Sequence, residues 1–377
     1  MKNKIIIVFV VLLNYSIVAK FEINRQENFI PATNNYILSV PKDHNIHSKY
    51  AYEWWYFVSH LFEDKKQESK HATFQVVIFR LSNNMRPLLP PSEKKGKSTF
   101  IINLTYSDLK NKNHYHTSYY VSDQLIKSKI NTQFFEFNAP GLNFKIQKEG
   151  HVSIYAKALF PQGEMIEIET DLNNQKSVVF HGEQGYSRKG TCDTCASHYL
   201  SSTRLLGKTS IKFNKSKKEF HSLAWHDHEF GSQTLDKDQE GWDWFSLQLN
   251  SKEEFMIFRV RNQKNPQKNY YAGTYIDQRG QSKNLSPNKI KLKPTQFIKL
   301  KDGANYPVER EISIQDKNTR HFKITADYDN QLNISHIYNF PNYWEGSCYV
   351  TDLKTNKIIG HAYMELTGYE TTKKINF

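Results

Sequence analysis

The segment His221–Glu229 concentrates side chains that can donate protons or bind metal ions. In a strand, alternate residues share a face. His221, Leu223, Trp225, Asp227 and Glu229 would then lie on one face, and Ser222, Ala224, His226 and His228 on the other. If Trp225 faces a barrel interior, Asp227 goes in with it. Burial among aromatic rings favours the neutral carboxylic acid over its anion, which would make Asp227 a proton donor near neutral pH. The structural alternative is an aspartate held by backbone or arginine bonds at a strand end. His226 and His228 could ligate zinc or copper, but a third ligand must come from elsewhere and no helical H-E-x-x-H pattern supplies it. The reading carried forward needs no metal and no cofactor.

Trp54, Trp55, Trp242, Trp244 and Trp344 cluster in sequence with Glu53, Asp243 and Glu345. Large aromatics pack cores and interfaces well, and the same rings can wall a pocket for a long apolar or polyene ligand. Three cysteines complete the reactive inventory. Cys192 and Cys195 form a C-D-T-C pair in a polar loop, and Cys348 stands alone. One pair makes no zinc ribbon, and a loop position is not that of a thioredoxin-type site. A loop-stapling disulfide and free thiols both remain open.

The elements that must position these groups read as β throughout. The chain holds 22 tyrosines and 24 phenylalanines, and short apolar or alternating runs recur between polar turns. Examples are 73–79, 99–106, 152–158, 164–170, 244–249, 254–260, 270–276 and 358–366. No amphipathic helix of any length is evident, so barrels or sandwiches are expected. A length of 377 residues implies two domains. The boundary falls in the polar stretch Ser232–Glu240, giving an N-terminal domain over 40–231 and a C-terminal domain over 232–374. Aromatic-acidic patterns on both sides hint at two related halves.

The N-terminus reads as an export signal over residues 1–19. Lys2 and Lys4 precede the apolar run Ile5–Leu13, and Ala19 is a suitable cleavage residue. That run is shorter than the roughly 20 residues that span a bilayer. The destination is periplasmic or secreted. The formal charge is +13, but the lysines (Lys94, Lys95, Lys97, Lys110, Lys112, Lys215, Lys217, Lys218) are scattered among turn residues. This pattern excludes a nucleic-acid partner in our reading and suits peripheral contact with an anionic membrane surface.

Several ordered motifs resemble one family. Glu53-Trp54-Trp55-Tyr56, His60-Leu61 and the strand ending Phe79-Arg80 come first. Gly185-Tyr186-Ser187 and His198 to Leu205 follow, then Ala224 to Gly231, Gly241 to Phe245, Tyr343 to Gly346 and Tyr363 to Tyr369. Spanning 51–369, they resemble the AttH-like, lipocalin-like group that includes the carotenoid 1,2-hydratases. The resemblance implies an all-β chain of two consecutive lipocalin-like antiparallel β-barrels and no cofactor. It places the hydratases' proton-donating aspartate on Asp227 and a functional histidine on His198. Trp225 and Leu200 replace aromatic residues of those enzymes, so the Trp-x-Asp-His-Glu form is similar to the AttH-like branch rather than to the carotenoid enzymes. The expected ligand is a hydrophobic small molecule or lipid, with Trp225, Tyr199, Trp242, Trp55, Glu53 and Arg204 around it. Expected activities are a cofactor-free hydratase or isomerase, a non-catalytic lipid carrier, or an envelope or transport accessory protein.

Overall fold

The computed structural model describes residues 29–82, 98–233, 235–236, 238–315, 319–337 and 340–370. The export signal expected over residues 1–19 lies outside them, as do Lys94, Lys95 and Lys97. The first sheet contains β1 (Tyr52–Phe62), β2 (Lys70–Ser82), β3 (Ser98–Asp108), β4 (Asn113–Ser122), β5 (Lys127–Ile130), β6 (Phe134–Ala139), β7 (Leu142–Gln147), β8 (His151–Leu159), β9 (Met165–Asn174), β10 (Val179–Phe180), β11 (Tyr186–Arg188), β12 (Ala196–Phe213) and β13 (Ser216–Gln233). The second contains β14 (Gln239–Leu249), β15 (Glu254–Asn262), β16 (Tyr270–Ile276), β17 (Ser282–Leu285), β18 (Ile290–Lys299), β19 (Asn305–Ile314), β20 (Arg320–Ala326), β21 (Leu332–Asn333), β22 (Tyr343–Asp352) and β23 (Lys357–Thr367). Helix among the described residues is limited to single 3-10 turns such as Lys42–His44. The chain is all-β, two curled antiparallel sheets that form consecutive lipocalin-like barrels.

Both sheets repeat one topology. The first runs β4-β3-β2-β1-β13-β12-β9-β8-β7-β6-β5, and the second β17-β16-β15-β14-β23-β22-β20-β19-β18. In each, the first strand pairs with the last, and the two edge strands are consecutive in sequence. The register repeats as well. Glu53 of β1 sits opposite Arg80 of β2, and Asp243 of β14 opposite Arg259 of β15. Trp54 lies between Phe79 and Glu229, and Trp244 between Phe258 and Glu365. The two aromatic-acidic motifs therefore occupy equivalent positions in the two halves.

Each sheet wraps its own core. Trp55, Phe57, Val76, Ile78, Phe137 and Phe144 fill the first, and Phe245, Leu247, Ile257, Trp344, Val350 and Met364 fill the second. A third cluster (Tyr56, Val58, Tyr199, Trp225, Trp244, Phe258 and Tyr363) lies between the sheets. Strands distant from this junction alternate buried and open residues, as β9 does, because only one face leaves water. β1 is buried on both faces, which explains its nearly unbroken aromatic and apolar sequence. Gly241 at the start of β14 has φ +148°, and a side chain there would collide with the Thr367 carbonyl. Only glycine lets the motif enter its strand so close to β23.

Candidate functional site

The junction between the sheets encloses a cleft of about 810 Å³, mouth included. β1 contributes Trp54 and Tyr56, β2 Phe79, β12 Tyr199, and β13 Asp227 and Glu229. The second sheet contributes Trp242 and Trp244 from β14, Phe258 from β15, Tyr343 and Glu345 from β22, and Glu365 from β23. Asp227 and Trp225 do share a face, but that face is the outer one of the first barrel. The expected barrel-interior placement is corrected accordingly: the inner face of β13 carries Ala224, His226 and His228 against the first core.

Asp227 is buried and surrounded by donors. Trp225 Nε1 donates to its Oδ1 at 2.6 Å, Tyr199 Oη to its Oδ2 at 2.8 Å, and Ser201 Oγ also to Oδ1. Burial raises the carboxyl to about 7, with Glu229 adding in the same direction and the bonds from Ser201, Trp225 and Tyr199 opposing the rise. Tyr199 in turn accepts from Trp244 Nε1 at 3.0 Å. Behind Ser201 stands His181, with Nε2 2.7 Å from Ser201 Oγ and Nδ1 2.8 Å from Thr274 Oγ1. Burial, then Lys189, lowers His181 to about 3, so its ring is neutral. A neutral imidazole has one N–H, so the chain Thr274–His181–Ser201–Asp227 has two polarities. One donates toward an ionised Asp227, and the other accepts from a protonated one.

Three further carboxyl groups line the cleft. Glu229 is held by Lys189 Nζ at 2.9 Å, and that ammonium also lies over the Tyr199 and Phe258 rings. Glu345 and Glu365 are cross-strand partners on β22 and β23. Burial and then the Glu365 charge push Glu345 well above the carboxylate range. Burial pushes Glu365 to about 7 against bonds from Thr367 and Trp242. Two buried carboxyls in register favour holding a proton between them. The arrangement thus offers an acid on one wall, a carboxyl pair on the opposite one, and aromatic faces between.

Of the residues expected around a ligand, Tyr199 and Trp242 line the cleft, and Trp225 supports it from behind by bonding Asp227. The others lie elsewhere. His198 pairs across the strands with Phe230, whereas Ser201 pairs with Asp227. Strand alternation therefore puts His198 on the opposite face, packed on Tyr36 and Phe230, and it cannot serve Asp227 directly. Trp55 belongs to the first core and stacks on His228. Glu53 is buried beside Arg80 Nε at 2.9 Å. Arg204 joins Glu254 of the second sheet and the Leu249 carbonyl, a strut away from the cleft. Cys192 and Cys195 form a disulfide, and Cys348 is free and buried. His181 and Lys189 carried no motif; both come from the short-strand segment 179–189, folded beside β12.

A family model described as AttH-like matches residues 31–369. The crystal structure of an AttH protein from Nitrosomonas europaea superposes with a TM-score of 0.77 at 24% identity, covering 90% of this chain and 99% of that one. Kievitone hydratase from Nectria haematococca superposes with a TM-score of 0.63 at 13% identity, covering 92% and 98%. At these identities the likeness establishes the fold. No curated protein sequence matches this one.

Proposed function

The chain belongs to the AttH-like family, and on that footing we propose that its inter-sheet cleft binds an apolar unsaturated molecule, an isoprenoid or other lipid, and adds water across a carbon–carbon double bond. The observation that carries this reading is Asp227, an acid held at about 7 in an aromatic cleft with three donors around it. The hydratase among the similar folds supports it. Where the chain through Ser201 donates, every protein bond to the Asp227 carboxylate is a donation, and a proton added in that polarity finds no protein acceptor and faces the cleft.

In the proposed reaction, the Asp227 proton forms a C–H bond with the alkene π pair. The adjacent carbon becomes a cation, stabilised by the faces of Trp54, Trp244 and Tyr199. A water oxygen forms the C–O bond, and its surplus proton passes to the Glu345–Glu365 pair. Solvent returns one proton to Asp227 and takes one from the pair, so the net change is addition of one water. The chain through Ser201 and His181 can reverse polarity as Asp227 cycles. We extend the proposal to export with loss of residues 1–19, and to supply of the ligand from a membrane met by the basic surface.

The test is to purify the mature protein, identify co-purifying lipids by mass spectrometry, and incubate them in ¹⁸O-water. Wild type should release product bearing one ¹⁸O, and Asp227→Asn should bind the same lipid without forming it. A bound lipid that wild type never converts would establish a carrier instead.

A further inference from the structure

The inner face of β13 carries a histidine cluster that the cleft chemistry does not use. His226 and His228 come from β13, Glu53 from β1, and His44 and His47 from the segment 29–50 that precedes β1. His47 Nδ1 lies 2.7 Å from Glu53 Oε1, and His228 Nε2 lies 2.9 Å from the same oxygen. These three donor atoms lie within 4.8 Å of one another. Glu53 and His228 are fully buried.

On Glu53 and His47, the atoms facing away from this centre are already engaged. Glu53 Oε2 accepts from Arg80 Nε at 2.9 Å and from the His47 amide at 2.9 Å; that amide also reaches Oε1 at 3.2 Å, while the two ring nitrogens approach Oε1 more closely. His47 Nε2 lies 3.3 Å from Asp43 Oδ1. Asp43 is fixed by the Tyr36 hydroxyl and the Ser39 amide, both at 2.7 Å. A carboxylate behind a histidine and hydrogen bonds behind a carboxylate are the outer partners that orient metal ligands. Three buried ring nitrogens of the cluster, His44 Nδ1, His226 Nε2 and His228 Nδ1, have no hydrogen-bond partner. The His44 and His226 rings lie 5.8 Å apart, with the His44 ring 6.3 Å from that of His228.

We propose that the first barrel binds one zinc-class divalent ion through His47 Nδ1, Glu53 Oε1 and His228 Nε2. Two imidazoles and a carboxylate suit zinc, whereas magnesium and calcium require oxygen ligands and copper(I) prefers sulfur. The charges of Asp43 and Glu53 offset the Arg80 guanidinium beside the site. Since His47 belongs to the segment preceding β1, the ion would clasp that segment to β1 and β13, on the opposite face of those strands from the cleft.

The experiment uses the whole mature chain, stripped with chelator and dialysed against zinc or cobalt. We expect one equivalent of zinc by elemental mass spectrometry, tetrahedral cobalt bands in the visible spectrum, and protection of residues 29–50 from protease on loading. His228→Phe keeps the stack on Trp55 and should weaken binding by more than about 100-fold. His221→Phe, a substitution outside the cluster, should leave binding unchanged. A wild-type chain that retains no stoichiometric ion overturns the proposal, and so does a folded His228→Phe protein that binds as wild type does. If that variant fails to fold, anomalous scattering at the zinc edge from wild-type crystals decides. A peak between His47, Glu53 and His228 supports the site, and a peak elsewhere or none overturns it.

Discussion

Trp244 of the second sheet hydrogen-bonds Tyr199 of the first. Its indole N–H donates to the phenol oxygen at 3.0 Å, and that phenol donates to Asp227 at 2.8 Å. The acid is thus conditioned by both barrels. The first supplies the carboxyl, and the second supplies the lid that desolvates it.

Replacing Trp244 with Phe keeps a ring in place and removes the N–H. We expect a loss of about 1–2 kcal/mol in stability, because a buried acceptor loses its donor. Urea denaturation measures it, and an unchanged midpoint would show that the bond contributes nothing. Tyr199 should also become a weaker donor, so Asp227 should titrate at higher pH.

The pH dependence of hydration follows from Asp227 and Glu365. Asp227 is the acid only below about 7, and the accepting pair needs Glu365 ionised, which fails as pH falls below about 7. Product formation should therefore peak near pH 7 and fall on the alkaline side as Asp227 ionises. Stability, too, should fall with rising pH. The folded Asp227 carboxyl binds its proton more tightly than an unfolded one, whose value is near 4, so stability declines as pH rises from about 4 to about 7. Between pH 5 and 8, wild type should lose roughly 2–3 kcal/mol more than Asp227→Asn. Glu365 contributes a decline in both proteins, a smaller one in the variant because the Asp227 charge helps to raise it. Parallel denaturant midpoints at the two pH values would refute the raised value.

Ser201→Ala removes a donor to Asp227 and cuts the link to His181. Loss of a bond to the anion raises the carboxyl further, so the alkaline limb of the rate profile should shift to higher pH. The maximal rate should drop because the chain can no longer reverse. A reduced rate with an unmoved limb would assign Ser201 to packing alone.

Asp243→Ala tests the second barrel. This buried carboxylate meets Arg259, Arg261 at 2.7 Å and Arg310 at 3.2 Å, and accepts from Tyr369 at 2.8 Å. Burial opposes its ionisation, but the three guanidiniums, Arg310 foremost, together with Tyr369 hold it below the usual carboxylate range. Removing it strands those cations, and a loss of about 3–5 kcal/mol is expected. Because the folded value is depressed, its contribution is present above pH about 4 and fades as pH falls below that value. The variant should therefore lack the corresponding acid-side decline in thermal midpoint.

Sequence alternation put Asp227 with Trp225, and the register agrees: Asp227 lies opposite Tyr56 and Ser201. What alternation could not decide was which face meets the cleft. β1 and β13 are buried on both sides, so neither face is marked by exposure. His198 received its role from the resemblance alone, and it lies one residue out of phase with Tyr199, on the other face of β12. Glu345 and Glu365 stood inside recognised motifs, yet their meeting with Asp227 depends on the packing of one barrel on another. His181 and Lys189 reach the acid through pairing of short strands with β12, which leaves no local pattern.

The matching registers of the two sheets give the cleft an approximate dyad. Trp54, Phe79 and Glu229 form one end, and Trp244, Phe258 and Glu365 the other. An elongated ligand with two similar termini would find a comparable cradle in either orientation. The dyad breaks where chemistry is needed: the place held by Asp227 opposite Ser201 is held by Tyr363 opposite Ser347. A molecule bound either way round would therefore react at a single terminus, and a second hydration would require it to leave, turn and bind again.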